Sequence, residues 1–451
     1  MQPIHDLTHP RFLKDELHCH LYGCLTPEDL WRLGRDRYEG VATRLDWYAD
    51  EYAKAYGRRP NPKHYWSKDS GLELLRQDFL FTSPNPFTRF QASFNLAIAL
   101  LPITPNDTTV LRHVITAHAS CGIDYSEYRL FVPPHLNPDE TSLYLATAAD
   151  TTLELARDLK GAFAPKLVFS IMRRSESGIK QYEVLRSVLA AKPDRHDVVV
   201  GIDFCGMEEH HPPHLTTLLV KQILADNAAD SSQALAILYH VGESFTDKTL
   251  ASAVRWVSEA ATMGVHRLGH ALALGIEPSL YLGQTVNELA GERRRHLEWL
   301  LAGQSWLKNC GYHGDYDAFK KELMTLASRH DDDYIATIWT EAQASDCRML
   351  QNAVMKQLTK GQAIIESCPT SNMLIGNLTK ETHPLPRFIA AGLNVIIGAD
   401  DPGIFSTSLA REEQRLVTEF SWTDEQLRFA QELARHARSG LLVRQIEPSA
   451  K

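Results

Sequence analysis

Eight short apolar runs rich in β-formers recur along the 451 residues, separated by stretches of helical periodicity, and this alternation most constrains the fold. The runs cover residues 15–20, 123–132, 166–172, 198–204, 236–240, 265–269, 362–367 and 393–399. Strands that alternate with helices read as parallel βα units. Eight such units predict an α/β fold that closes on itself, a (β/α)8 barrel of TIM type. The units are unevenly spaced, so the expected organisation is one domain over 1–451 with a long first crossover over 24–120 and a helical insertion over 275–361. Within that insertion the periodicity predicts helices over 286–301, 316–330 and 333–358. A structureless loop of that length is uncommon. The insertion is therefore expected to cover the barrel or to contact a second subunit, which makes it the expected route to a homo-oligomer.

Composition removes several classes of function. Hydrophobic residues make up 44% and charged residues 23%, the balance of an ordinary folded protein. A formal net charge of −9 argues against a chain whose main task is to neutralise nucleic-acid phosphates. No run of about 18 apolar residues is present, so neither a membrane-spanning helix nor a membrane partner is expected. The first residues lack a basic segment followed by an apolar one, so no signal peptide is expected. Seven scattered cysteines with no CxxC pair suit free thiols in a reducing cytoplasm.

In a (β/α)8 barrel, chemistry sits at the C-terminal ends of the strands. The first run ends in His18-Cys19-His20. Positions i and i+2 of a strand share a face, so both imidazoles point into one space, as a zinc-type ion requires of a ligand pair. The fifth run ends at His240, followed by Val241-Gly242-Glu243, the sixth at Gly269-His270, and the eighth at Asp400-Asp401. A lone histidine at a strand end is usually structural. Residues of these types on four strands, all at the same end, point instead to a metal site with an acid and a base.

These pieces resemble the adenosine/AMP deaminase family of metal-dependent hydrolases. The resemblance runs through His18-Cys19-His20-Leu21-Tyr22-Gly23, Asp203-Phe204-Cys205-Gly206-Met207-Glu208, His240-Val241-Gly242-Glu243, Arg267-Leu268-Gly269-His270, Cys368-Pro369-Thr370-Ser371-Asn372 and Asp400-Asp401-Pro402-Gly403, in the family's order. It implies one Zn²⁺ per chain held by His18, His20, His240 and Asp400. It also implies hydrolytic deamination of an adenine-type purine, with ammonia released after attack of a metal-bound hydroxide. Glu243 is then the general acid, and His270 orients and deprotonates the water. Asp401 and Gly206 contact the purine, beside His20 and Tyr22. The expected partner is a small purine molecule.

The chain departs from the family pattern at Ala271, at Ala399 and at Tyr22, where relatives often carry an Asp or Asn that contacts the sugar. By strand alternation Tyr22 is expected to face the same mouth as His18 and His20. It would weaken sugar recognition and favour an N6-modified or phosphorylated purine over plain adenosine. Two other readings fit the residues: another metal-dependent amidohydrolase on the same barrel, and a non-catalytic regulatory homologue. Retention of every ligand and of the acid speaks against the second. Glu208 and Glu209 read equally as a solvated loop or as substrate contacts. Asp331-Asp332-Asp333 reads as an acidic cap at a helix N-terminus, and Arg293-Arg294-Arg295 as a helix face.

Overall fold

A computed structural model describes residues 12–101, 104–133, 136–173, 175–361 and 363–443. Ten strands form in chain order: β1 (Asp15–His20), β2 (Tyr125–Phe131), β3 (Ala164–Ile171), β4 (Val199–Phe204), β5 (Ala236–Val241), β6 (Arg267–His270), β7 (Thr285–Leu289), β8 (Tyr334–Ile338), β9 (Ile364–Ser367) and β10 (Asn394–Ile397). Eight of them make one parallel sheet in the order β1-β2-β3-β4-β5-β6-β9-β10. The sheet closes where Asp400 N donates to His18 O (2.8 Å) and His20 N to Asp400 O (2.9 Å). The chain folds as a (β/α)8 barrel. All eight apolar runs contribute a barrel strand, with ends shifted by at most two residues; Gln362 lies outside the described residues. These strands are buried on both faces, as expected when helices cover a parallel sheet.

The first crossover is built of helices. Its segment Phe87–Leu100 sets Phe87, Phe90, Phe94 and Ile98 on one face at helical spacing, and that face looks onto the barrel mouth. The 275–361 region departs from the all-helical expectation. Helices form over Ala290–Ala302, Gln304–Cys310, Tyr316–Leu326 and Glu341–Gly361. Between them β7 and β8 pair antiparallel, with Leu289 opposite Tyr334 and Thr285 opposite Ile338. Asp331 and Asp333 therefore lead into a strand rather than cap a helix: Ala290 N donates to Asp333 O (2.8 Å) and Gly291 N to Asp331 O (3.0 Å). Among the described residues, no helix is long and apolar enough to cross a membrane. All seven cysteines are free thiols.

Candidate active site

β1 delivers His18 and His20 to the mouth, β5 delivers His240, β6 ends on His270, and the turn after β10 delivers Asp400. His270 and Asp400 both have left-handed backbone, with φ of 61° at each, which bends the chain there. A non-glycine residue held there carries backbone strain of the kind that clusters at functional sites. The side chains converge tightly. His240 Nε2 lies 3.1 Å from His18 Nε2 and 3.3 Å from His20 Nε2. Asp400 Oδ1 lies 3.4 Å from the Nε2 of both His18 and His20. Ligands bound tetrahedrally to zinc at about 2.0–2.1 Å stand about 3.3 Å apart, so these four separations match metal-site spacing.

The far side of each ring explains why these atoms can approach. His18 Nδ1 donates to Glu366 Oε2 (2.8 Å) and His240 Nδ1 donates to Asp203 Oδ1 (3.0 Å). Burial pushes both carboxyls up, but for Glu366 the Arg129, Arg267 and His18 charges prevail and hold it well below the usual range. For Asp203 the His240 and Arg129 charges do the same. With both carboxyls ionised, the ring protons are assigned to Nδ1. The two Nε2 lone pairs then face each other at 3.1 Å, which is repulsive without a cation between them. The residues present fit a divalent metal, with carboxylates orienting the histidines from behind. Burial also lowers the His20 and His240 imidazoles, His240 to about 4, which keeps them neutral as ligands. The His18 contact and the charges of His18, His270 and His20 hold Asp400 ionised against the effect of burial.

By distance alone, His18, His240, His270 and Asp400 form one cluster, and His20, Asp400 and Asp401 a second. His270 approaches only Oδ2 of Asp400, at 3.9 Å, and sits closer to Glu243 Oε1, at 3.4 Å. His20 shares Oδ1 of Asp400 with His18, so the Nε2 atoms of His18, His20 and His240 gather around that oxygen and His270 stands beside them. His270 Nδ1 donates to Asn372 Oδ1 (2.9 Å), which turns Nε2 toward Glu243.

Burial, Asp400 and Glu208 together push the Glu243 carboxyl well above the usual carboxylate range. Burial, Asp400 and Glu243 do the same to Asp401. Asp401 fits because residue 23 is glycine: a Cβ there would lie 1.6 Å from Asp401 Oδ1. Gly206 takes φ of +84° and lines the same cavity, of about 300 Å³, as His20, Glu243, His270 and Asp401. One wall is polar. The opposite wall is apolar, built from Phe87, Phe90, Phe94, Phe131 and Ile171.

Tyr22 is elsewhere. The chain leaves β1 into a 3₁₀ turn over Tyr22–Cys24, which breaks the two-residue alternation. The phenol is buried behind the strand, its hydroxyl 2.6 Å from that of Tyr144, and it lines a separate small cavity with Arg37 and Asp107. The expectation that it faces the mouth is corrected on this geometry.

Sequence reading left the role of Glu208 open and did not reach Arg129, Arg267 or Glu366. Glu208 is neither a solvated loop residue nor a cavity-lining one. Its two oxygens accept from the backbone N–H groups of Gly242 (2.8 Å), Glu243 (3.1 Å) and Ser244 (3.3 Å), which fixes the turn that carries Glu243. Arg129 stands between the two carboxylates behind the histidines, paired with Glu366 and 3.4 Å from Asp203. Arg267 Nε contacts the other Glu366 oxygen at 3.0 Å. A charged residue inside an apolar run, as in Tyr125-Ser126-Glu127-Tyr128-Arg129-Leu130-Phe131 or Ile364-Ile365-Glu366-Ser367, was the available signal.

With this geometry in place, the relatives point in one direction. The family model described as adenosine deaminase matches residues 331–440. The adenosine deaminase of Enterococcus faecalis is 22% identical over 95% of this chain and 91% of its own length. The chain is thus similar to adenosine deaminases, over its last quarter by the family model and along nearly its whole length by this relative. A local match, 46% identical, links 11% of the chain to 14% of the aminodeoxyfutalosine deaminase of Acidothermus cellulolyticus. The matched stretch thus spans well under two thirds of that family member. In fold, the Arabidopsis ADAL protein complexed with IMP aligns at TM-score 0.55 and 17% identity, over 95% of this chain and 92% of that one.

Proposed function

We propose that this chain is a zinc-dependent hydrolytic deaminase of an adenine-type purine, a nucleoside, nucleotide or N6-modified relative, acting in the cytoplasm. The observation that carries the reading is the pair of Nε2 atoms held 3.1 Å apart by two ionised carboxylates behind them, beside a glutamic acid kept protonated by burial. His18, His20, His240 and Asp400 would hold one Zn²⁺. Such an ion supplies Lewis acidity, which makes water a competent nucleophile near neutral pH.

The chain's own groups supply the rest. Glu243 carries the proton that a purine ring nitrogen needs before its neighbouring carbon becomes electrophilic. His270 Nε2, fixed by Asn372, stands 3.4 Å from Glu243 Oε1 and takes the proton of the attacking water. Asp401 and the Gly206 N–H hold the ring, and the phenylalanine wall receives its apolar face and excludes water. The IMP bound to the ADAL relative supports a small purine ligand. The reading treats 1–451 as one hydrolase domain elaborated over 24–120 and 275–361, with self-association through the second elaboration.

The experiment is ammonia release from adenine, adenosine, AMP and N6-modified analogues, with metal analysis of the same sample. Release from at least one purine, lost on chelation and restored by zinc, is the expected result. Metal-loaded protein that releases ammonia from none of them would overturn the reading.

A further inference from the structure

We propose that the outer edge of β8 is a self-complementary interface through which two copies of this chain pair antiparallel about a two-fold axis at Ala336. The inference specifies the self-association reading and is independent of the chemistry at the barrel mouth. It starts from a two-stranded sheet, β7 with β8, whose two edges pair with no other strand among the described residues. One face is anchored: Glu288 is buried and accepts from Thr249 N (3.3 Å) and from Ser252, and Trp339, just past β8, is buried and donates to Pro278 O (2.9 Å). The other face is exposed along its length, at Thr285, Asn287, Tyr334, Ala336 and Ile338. Tyr334 and Ile338 are each 62% exposed.

Backbone parity says which groups are unsatisfied. Trp339 N donates to Gln284 O and Ala290 N to Asp333 O, so odd-numbered residues of β8 turn their backbone groups toward β7. Tyr334, Ala336 and Ile338 therefore turn their N–H and C=O groups outward. Natural edges of this kind are blunted by Lys, Pro or a bulge, or are covered. Tyr334-Ile335-Ala336-Thr337-Ile338 has no charge and no proline, and all five residues pair in continuous register with β7. A two-stranded sheet is marginal alone, and added strands stabilise it.

A second copy is the occupant that fits. A dyad at Ala336 sets Ala336 opposite Ala336 of the second copy, and Tyr334 opposite Ile338 of the second copy, twice over. Every outward backbone group then finds a partner. The exposed side chains form two aromatic–β-branched cross-strand pairs, the favoured kind, with no charge facing another. The other open edge, β7, turns polar Thr285 and Asn287 to solvent and offers no such match. The acidic run Asp331-Asp332-Asp333 lies just outside the paired five residues. An interface this short falls at the small end of specific contacts, so the dimer should be concentration-dependent.

The test is sedimentation velocity of the full chain over roughly 1–100 µM, a range that brackets a micromolar dissociation constant. A dimer fraction that rises with concentration is expected. Ile338→Lys, at an exposed position that leaves the core intact, should stay monomeric over the same range with an unchanged circular dichroism spectrum. Ala336→Cys should give a covalent dimer on mild oxidation, since directly opposed hydrogen-bonded residues have Cα atoms about 5.5 Å apart, within disulfide reach. Tyr334→Cys should not, because its opposite is Ile338. A chain monomeric at every concentration, a dimer that survives Ile338→Lys, or Tyr334→Cys crosslinking as well as Ala336→Cys would each overturn the proposal.

Discussion

Replacing Glu366 with glutamine tests the arrangement behind the metal ligands. The side chain is fully buried; one oxygen accepts from His18 Nδ1 (2.8 Å) and Arg129, and the other forms an ion pair with Arg267 Nε at 3.0 Å. Glutamine keeps the volume, removes the charge and points an amide donor at groups that are themselves donors. Breaking a buried ion pair by removing one partner costs about 3–5 kcal/mol. Unfolding entropy of about 2.1 cal/mol/K per residue, taken over 451 residues, makes each kcal/mol worth about 1 °C. Metal-free Glu366→Gln should therefore melt about 3–5 °C below the wild type. Its metal affinity should fall by about tenfold to a hundredfold, the usual effect of losing a carboxylate behind a ligating histidine.

Acid supplies a second readout. The folded carboxyl lies well below its ordinary value, because Arg129, Arg267 and His18 outweigh the opposing effect of burial. A depressed carboxyl contributes stability that is fully present above the unfolded value of about 4.3 and is lost as pH falls below it. One unit below, near pH 3.3, the wild type has lost about 1.4 kcal/mol of this contribution and the glutamine variant none of it. The gap in melting temperature should narrow by about 1.5 °C between pH 6 and pH 3.3. Calorimetry of chelated protein at the two pH values, with a competitive metal titration at pH 7, measures all three quantities. A gap below about 1 °C with unchanged metal affinity, or a gap that widens in acid, would refute the reasoning.

Three further outcomes can be measured. Glu243→Gln should keep its metal and lose deaminase turnover by at least about 10²-fold, the scale of a general acid; near wild-type turnover would remove it from that role. Glu208→Gln should release the turn that carries Glu243, lowering kcat by roughly tenfold to a hundredfold at full metal content, and steady-state kinetics beside metal analysis would show it. Tyr22→Phe should lose about 1 kcal/mol of stability, for one buried hydrogen bond, and leave the order of substrate preference unchanged in the ammonia assay.

Much of the site was legible because it is written locally. His18 and His20 share a face by strand alternation, and Glu243, His270 and Asp400 each follow an apolar run that could only be a barrel strand. Eight such runs were enough to place their ends at one mouth. Tyr22 marks where locality stopped helping. The alternation rule holds only while the strand continues, and the 3₁₀ turn after His20 carries the phenol to Tyr144, 122 residues away in the chain.

What only tertiary structure decided depends on long-range pairing. Glu366 serves His18, Asp203 serves His240, and Arg129 joins the two carboxylates, a network drawn from five different strands whose charged members are isolated in apolar runs. The pattern within one strand cannot say that such a charge is matched by another across the barrel. Residues 285–289 run directly into a helix and read as part of its periodicity. They become a strand because a partner lies near residue 336, and sequence periodicity carries no information about a partner that distant. The chain alone thus determined the barrel and the chemistry at its mouth. The fold decided which buried charges hold that chemistry in place and which edge was left open.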